Sequence, residues 1–118
     1  SDWDDYFDEF KEIDFTGKTV ALFGLGDQVG YGEYFVDGIG ILAKEILKNG
    51  GEIIGYWPSE GYEFETSKAS LDENTFYGLA LDEDNQDELS YERVKRWVLQ
   101  IHKEYQEKLS AKAQTSIA

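Results

Sequence analysis

Cysteine and methionine are absent from this 118-residue sequence, and histidine and proline occur once each. Without cysteine there is no disulfide, no thiolate zinc site, no cysteine-ligated iron–sulfur cluster and no cysteine nucleophile. The single histidine, His102, excludes mechanisms that need two imidazoles. Any redox chemistry would have to be carried by a bound organic cofactor. No stretch approaches the ~20 apolar residues that cross a bilayer, and no charged-then-apolar segment opens the chain as a signal sequence does. A cytoplasmic protein without a membrane partner is expected. The missing methionine, with a first residue already reading as helix, points to a processed product or a fragment.

Positive charge is also scarce, with 11 Lys and Arg against 25 Asp and Glu and a net charge of −14. Nucleic acid and anionic membranes are polyanions and fit poorly as partners. The imbalance is uneven: residues 1–92 carry 5 basic and 23 acidic groups, residues 93–118 carry 6 basic and 2 acidic. A cationic partner would be steered toward the acidic portion, although acidity also simply keeps a small protein in solution. With 41% hydrophobic and 15% aromatic residues the chain can build a core, and its length allows one small domain.

Trp3, Phe7 and Phe10 share a helical face behind an acidic first turn. Thr19-Val20-Ala21-Leu22-Phe23 is an apolar run without alternation, ending in glycines. It predicts a strand covered on both faces, as in parallel sheets. Val36, Ile39, Leu42, Ala43, Ile46 and Leu47 form the stripe of a helix over 36–48, stopped at Asn49-Gly50-Gly51. Residues 52–57 read as a second strand closed by Pro58, and 76–81 as a third. The segment 59–75 is polar and turn-rich. Ser90 is placed as the cap of a long helix, with Leu89 and Val94 as its hydrophobic staple. The stripe of that helix is Val94, Trp97, Val98, Ile101, Tyr105 and Leu109. Residues 110–118, with Ile117 as their bulky apolar residue, are expected to fray. Helices interleaved with apolar strands predict an α/β fold of about three strand segments and three helices, one domain over 1–109.

The segment from Gly24 to Phe35 lies where a strand ends and a helix is about to begin, the place where open α/β sheets bind ligands. A dinucleotide loop would read G-x-G-x-x-G, but Gly30 comes one residue late and Asp27 occupies the tight turn, where it would repel a pyrophosphate. The loop better suits a neutral, flat partner with an N–H to donate, such as the imide edge of a flavin. Tyr31 and Tyr34 offer aromatic faces for stacking. An ordinary glycine-rich turn with surface tyrosines accounts for the same spacing.

Three decoys are set aside. Thr16-Gly17-Lys18-Thr19 looks like the end of a phosphate loop, but Glu12 stands where the first glycine belongs, and the segment precedes its strand. Residues 82–88 resemble a calcium loop in charge but lack its sixth-position glycine and twelfth-position acid. His102 has no companion ligand and reads as a surface histidine.

Phe23-Gly24-Leu25-Gly26-Asp27-Gln28-Val29-Gly30-Tyr31, followed by Phe35, closely resembles the second flavin loop of flavodoxins. Gly55-Tyr56-Trp57, Gly61-Tyr62-Glu63-Phe64 and Gly78-Leu79-Ala80-Leu81-Asp82-Glu83-Asp84-Asn85-Gln86 extend the likeness. They look like the long-chain members, in which an insertion interrupts the final strand. The resemblance runs from Trp3 to about Tyr105. It implies a flavodoxin-like parallel sheet with flanking helices and one non-covalent FMN. It further implies an electron carrier between reductases and acceptor enzymes, not an enzyme with its own substrate. By the same resemblance Tyr31 stacks on the isoalloxazine ring and Asp27 lies at its pyrimidine edge. Backbone groups of Leu25, Gly26 and Gln28 complete the edge contacts, in a loop that includes Gly30. Acidic groups beside the ring disfavour a further electron and lower the last reduction potential.

The family's opening strand, its Ser/Thr-x-Thr-Gly-x-Thr phosphate loop and its first flavin loop have no counterpart here. The chain is therefore expected to be a truncated version, the carboxy-terminal half to two-thirds, lacking about three strands and two helices of a five-strand sheet. The FMN phosphate then has no cradle. Strand 19–24 becomes an apolar edge that invites a homo-oligomer or a complementing segment. Basic redox proteins are the expected partners, docking on the acidic face quickly, weakly and with salt sensitivity. The competing expectation is a flavin-free half-fold, a binding or assembly module that pairs through that edge.

Overall fold

The computed structural model describes residues 2–117, with side chains from 4 to 113. The Trp3 side chain, assigned above to a helix face, lies outside those described. Helix α1 (Asp2–Phe10) is followed by β1 (Thr19–Ala21) and β2 (Phe23–Leu25), one extended run broken at Leu22. Next come α2 (Asp37–Lys48), β3 (Glu52–Ile54), β4 (Trp57–Pro58), β5 (Ser70–Asp72), β6 (Thr75–Phe76), β7 (Leu79–Leu81) and α3 (Asp87–Ile117).

β1 pairs in parallel with β3, Val20 opposite Ile53, and β2 pairs in parallel with β7, Gly24 opposite Ala80. Three bonds show that both partners lie on the same side. Glu52 N–H donates to the Lys18 carbonyl at 3.0 Å, Leu79 N–H to the Leu22 carbonyl at 2.9 Å, and Gly26 N–H to the Leu81 carbonyl at 2.9 Å. In a parallel ladder both backbone groups of a residue leave on one side, and successive residues alternate. The even-numbered residues from 18 to 26 thus face β3 and β7. Backbone groups of Thr19, Ala21, Phe23 and Leu25 face the opposite edge, where no strand pairs among the described residues.

Side chains alternate to match. Val20, Leu22 and Ile53 pack with Ala43 and Ile46 of α2 on one face of the sheet. On the other, the Phe23 ring meets Trp97 of α3 edge-on at 6.2 Å. α2 ends in a Schellman motif: Gly51 N–H donates to the Ile46 carbonyl at 2.9 Å and Gly50 N–H to the Leu47 carbonyl at 3.2 Å. Gly50 has φ +91, and an added Cβ there would lie 2.7 Å from Thr16 Oγ1. Gly50→Ala is expected to lower stability by about 1–2 kcal/mol, read as a lower urea midpoint at unchanged slope. An unchanged midpoint would contradict the motif.

The chain leaves this layer after Ile54. Trp97 Nε1 donates to the Gly55 carbonyl at 2.8 Å and Gln100 Nε2 to the Tyr56 carbonyl at 2.7 Å, pinning the exit to α3. A small antiparallel sheet follows, in order β4-β6-β5, before the chain re-enters at β7. The strands expected over 52–57 and 76–81 are therefore each shared between two sheets, and the polar stretch 59–75 contributes β5. The reason is local burial: Phe76 packs with Phe35, Tyr62 and Phe64, an aromatic cluster continuous with the core that holds Ile39 and Trp97.

α3 begins at Asp87, three residues before the expected cap. Gln86 N–H to the Asp82 carbonyl, at 2.9 Å, and Leu89 N–H to the Gln86 carbonyl, at 3.0 Å, start the coil early. Asp87 and Glu88 then occupy the first turn, where negative charge is favoured. Ser90 is buried inside the helix, and Leu89 and Val94 are both exposed, so they form no covered staple. Segment 110–117, expected to fray, is helical. Its residues Ala111 to Gln114 are strong helix formers. Trp97 is buried and Ile101 half-buried in the expected stripe, while Val94, Val98, Tyr105 and Leu109 stay exposed. No helix among the described residues is long and apolar enough to cross a membrane.

Candidate functional site

At the carboxyl end of β2 the chain turns sharply at Asp27. The Asp27 side chain folds back into its own loop, its Oδ1 accepting Gly30 N–H at 2.7 Å and Val29 N–H at 3.1 Å. Tyr31 N–H closes the turn on the Asp27 carbonyl at 2.9 Å. These contacts leave Val29, Tyr31 and Tyr34 pointing outward, at 72%, 68% and 65% exposure. The turn then runs into buried Phe35 and Val36. Val36 caps α2 in the left-handed region at φ 46, a conformation that β-branched residues rarely adopt and that costs on the order of 1–2 kcal/mol. It is held there by burial against the core.

A buried carboxylate from the neighbouring strand supports the turn. Asp82 directly follows β7, level with Gly26 after β2, and its side chain is fully buried. Its Oδ2 accepts Gln28 N–H at 3.0 Å and Gln28 Nε2 at 2.7 Å. Its Oδ1 accepts the N–H groups of Asp84 at 3.1 Å and Asn85 at 3.0 Å. The Asn85 amide bridges the two acids, donating to both oxygens of Asp82 and to Asp27 Oδ1 at 2.7 Å. Burial pushes the Asp82 carboxyl up, but hydrogen bonds from Asn85 and Gln28 outweigh it and hold the group below its ordinary value. Since the folded value is depressed, the stability it contributes is present above the ordinary carboxyl range. It is lost as pH falls through the folded value, below about pH 4. The Gly30 N–H, aided by Asn85, likewise lowers the Asp27 carboxyl, against weaker effects of burial and of Asp82.

The segment from β4 to β6, termed the insertion, grips the other flank. The Gln28 side-chain oxygen accepts Glu63 N–H. The Gly32 carbonyl accepts Glu65 N–H at 2.9 Å and Thr66 N–H at 3.0 Å, and Thr66 Oγ1 donates to the Glu33 carbonyl at 2.7 Å. Between turn and insertion lies a cavity of about 460 Å³ lined by Gln28, Val29, Gly61, Tyr62, Glu63, Asn85 and Gln86.

The six residues expected to hold a ring are therefore together, in differing states. Tyr31 is open to solvent. Leu25 has its backbone groups on the unpaired edge. Gly26 N–H is engaged by the Leu81 carbonyl and Gln28 N–H by Asp82, so these two donors are taken up inside the protein. Asp27 and Gly30 are bonded to each other within the turn. Asp82, Asn85 and Glu63 were not picked out from sequence. One signal was available: an acidic residue stands within two positions of the end of each of two apolar strands, Asp27 after β2 and Asp82 after β7. Carboxylates of Asp27, Asp82 and Asp84 gather within 4.8 Å, but the described N–H donors already occupy Asp27 Oδ1 and both oxygens of Asp82.

A sequence profile described as Flavodoxin matches residues 1–97. The chain belongs to the flavodoxin family. Flavodoxin 1 of Escherichia coli K12 is 54% identical over 103 residues, which is 87% of this chain and 58% of that protein. Flavodoxin of a Nostoc species is 50% identical over 105 residues, 89% of this chain and 61% of that protein. A crystal structure of Fusobacterium nucleatum flavodoxin bound to flavin mononucleotide matches with a TM-score of 0.80 at 41% identity, covering 86% of this chain and 60% of that one. The chain thus spans about three-fifths of the length of these flavodoxins. The expected flavodoxin-like α/β fold is the one observed.

Proposed function

We propose that this chain supplies the ring-binding part of a cytoplasmic, FMN-dependent, flavodoxin-type electron carrier, with no substrate chemistry of its own. The observation that carries the reading is the exposed Tyr31 ring on a turn fixed from behind by Asp82 and from the side by residues 63–66. The residues present fit the isoalloxazine. Tyr31 would stack on its face, and the Asp27 turn with the backbone groups of Leu25, unpaired among the described residues, would meet its edge. They do not fit the phosphate: no Ser/Thr-x-Thr-Gly-x-Thr segment occurs. The nearest run, Thr16-Gly17-Lys18-Thr19, has Asp14 at the first motif position and leads into β1 at the sheet end opposite the turn. FMN, when bound, supplies the one-electron chemistry. The protein's part is to hold the ring and set the charge around it, and acidic Asp27 and Asp84 oppose added negative charge there.

Adding FMN to the chain is expected to quench the flavin emission and perturb its visible spectrum. Tyr31→Ala should weaken binding about tenfold, the order of an aromatic stacking contribution. Unchanged emission from folded protein would sink the carrier reading and leave the flavin-free module. The partners that fit are basic reductases and acceptor proteins, drawn by the −14 charge. The open edge of β1 and β2 is proposed to take up a further strand, from a second copy or a complementing segment.

A further inference from the structure

We propose that Asp82 is the positioning residue of the ring-binding turn, fixing Gln28 directly and Asp27 through Asn85. The role in flavin binding rests on the reading of the turn given above. The geometry is one-sided in its chemistry. Every described group that bonds the two Asp82 oxygens is an N–H donor: the main-chain amides of Gln28, Asp84 and Asn85, and the side-chain amides of Gln28 and Asn85. Only a carboxylate accepts on both oxygens, and ionisation strengthens each bond. Three chain segments meet at this group: the turn after β2, the insertion at Glu63 by way of the Gln28 side chain, and the loop before α3. Asp82 itself is fully buried and does not face the open side of Tyr31. It therefore acts on a ligand only through the shape of residues 27–30.

The substitution that isolates this role is Asp82→Asn. It keeps the volume but sets an amide N–H₂ against either the Gln28 donors or the Asp84 and Asn85 donors, whichever way it is turned. A second variant, Gln28→Met, keeps the main-chain bond to Asp82 and removes both side-chain bonds of Gln28. Ile46→Val, in the α2 layer, serves as a control that lowers global stability without touching the turn. Two measurements are made on each: amide hydrogen exchange by residue, and FMN titration followed by emission and visible spectrum.

In Asp82→Asn, protection at Gln28, Val29 and Gly30 is expected to drop about 10- to 100-fold beyond any drop in β3 and α2. FMN affinity should fall about tenfold with an altered spectrum. Gln28→Met should show a smaller loss at the same amides, and Ile46→Val none specific to the turn. The proposal is overturned if protection falls uniformly across the chain, if the turn amides are unaffected, or if the variant binds FMN with wild-type affinity and spectrum. A wild-type chain that fails to quench FMN refutes the proposed function instead. The exchange data alone then decide whether Asp82 shapes the turn.

Discussion

Gly40→Ala is expected to destabilise the protein by about 3 kcal/mol, at the upper end of what overpacking costs, while Gly38→Ala, two residues earlier in the same helix, is expected to stabilise it by about 0.5–1 kcal/mol. Helix propensity alone predicts a gain of about 1 kcal/mol for both, because alanine loses less entropy than glycine inside a helix. The surroundings separate them. A Cβ on Gly38 meets nothing within 4 Å, but one on Gly40 would sit 1.8 Å from the Lys68 carbonyl oxygen and 2.7 Å from the Ala69 nitrogen. That backbone cannot easily give way. Lys68 N–H is held by Asp37 Oδ1 at 2.7 Å, Ser67 Oγ donates to the Phe35 carbonyl, and Ala69 is fully buried. The insertion is clamped across the start of α2 by these contacts. Displacing it would also disturb residues 32–36, which the same segment fixes. Urea unfolding of the two variants gives the signs directly, and a Gly40→Ala protein as stable as its parent would show that the 67–69 segment does not lie there. FMN titration should follow the same order, since Phe35 and Tyr31 belong to one short connection.

Why some of this was legible in the sequence and some was not follows from the range of the interactions. The strand read at 19–24, the stripe of α2 and the stop at Asn49-Gly50-Gly51 depend on neighbours within a turn or two, so an unbroken apolar run, helical periodicity and glycine placement expose them. The Asp27 turn was legible for the same reason, its own closing bonds running to Val29, Gly30 and Tyr31, whereas the bond that Asn85 adds from 58 residues away was not. Val36 was read as the first residue of α2, and it is instead the left-handed cap, because tertiary burial of its side chain overrides what a β-branched residue prefers. The start of α3 was misplaced because Ser90 looks like a cap in isolation. Asp82, eight residues upstream, organises the entry through bonds to a loop 54 residues away in sequence. The insertion was the least legible part. Its strands are two or three residues long, below any periodicity, and its order comes from Tyr62, Phe64 and Phe76 converging on Phe35, with Trp57 bonded to the Tyr62 hydroxyl.

Ala21→Pro and Val20→Pro, adjacent substitutions in one strand, are expected to have opposite consequences, and the contrast tests the open edge. Val20 shares the parity of Lys18, Leu22 and Gly26, so its N–H faces β3, and proline there removes a ladder bond and crowds the partner strand. About 3 kcal/mol or more of stability should be lost. Ala21 N–H faces the unpaired side, where proline is tolerated and blocks strand addition. Phe23 and Leu25, on the same edge, are 65% and 67% exposed, and with Val94 and Val98 of α3 they leave apolar surface beside unbonded backbone. Such an edge is a template for another strand. Light scattering after size exclusion is expected to show the parent chain self-associated at micromolar concentration, and Ala21→Pro shifted toward monomer with its urea midpoint little changed. Phe23→Lys, which adds a charge at the edge, should act in the same direction. A parent chain that stays a stable, fully folded monomer would refute pairing through this edge. If Ala21→Pro instead unfolds like Val20→Pro, the pairing parity drawn from the three backbone bonds is wrong.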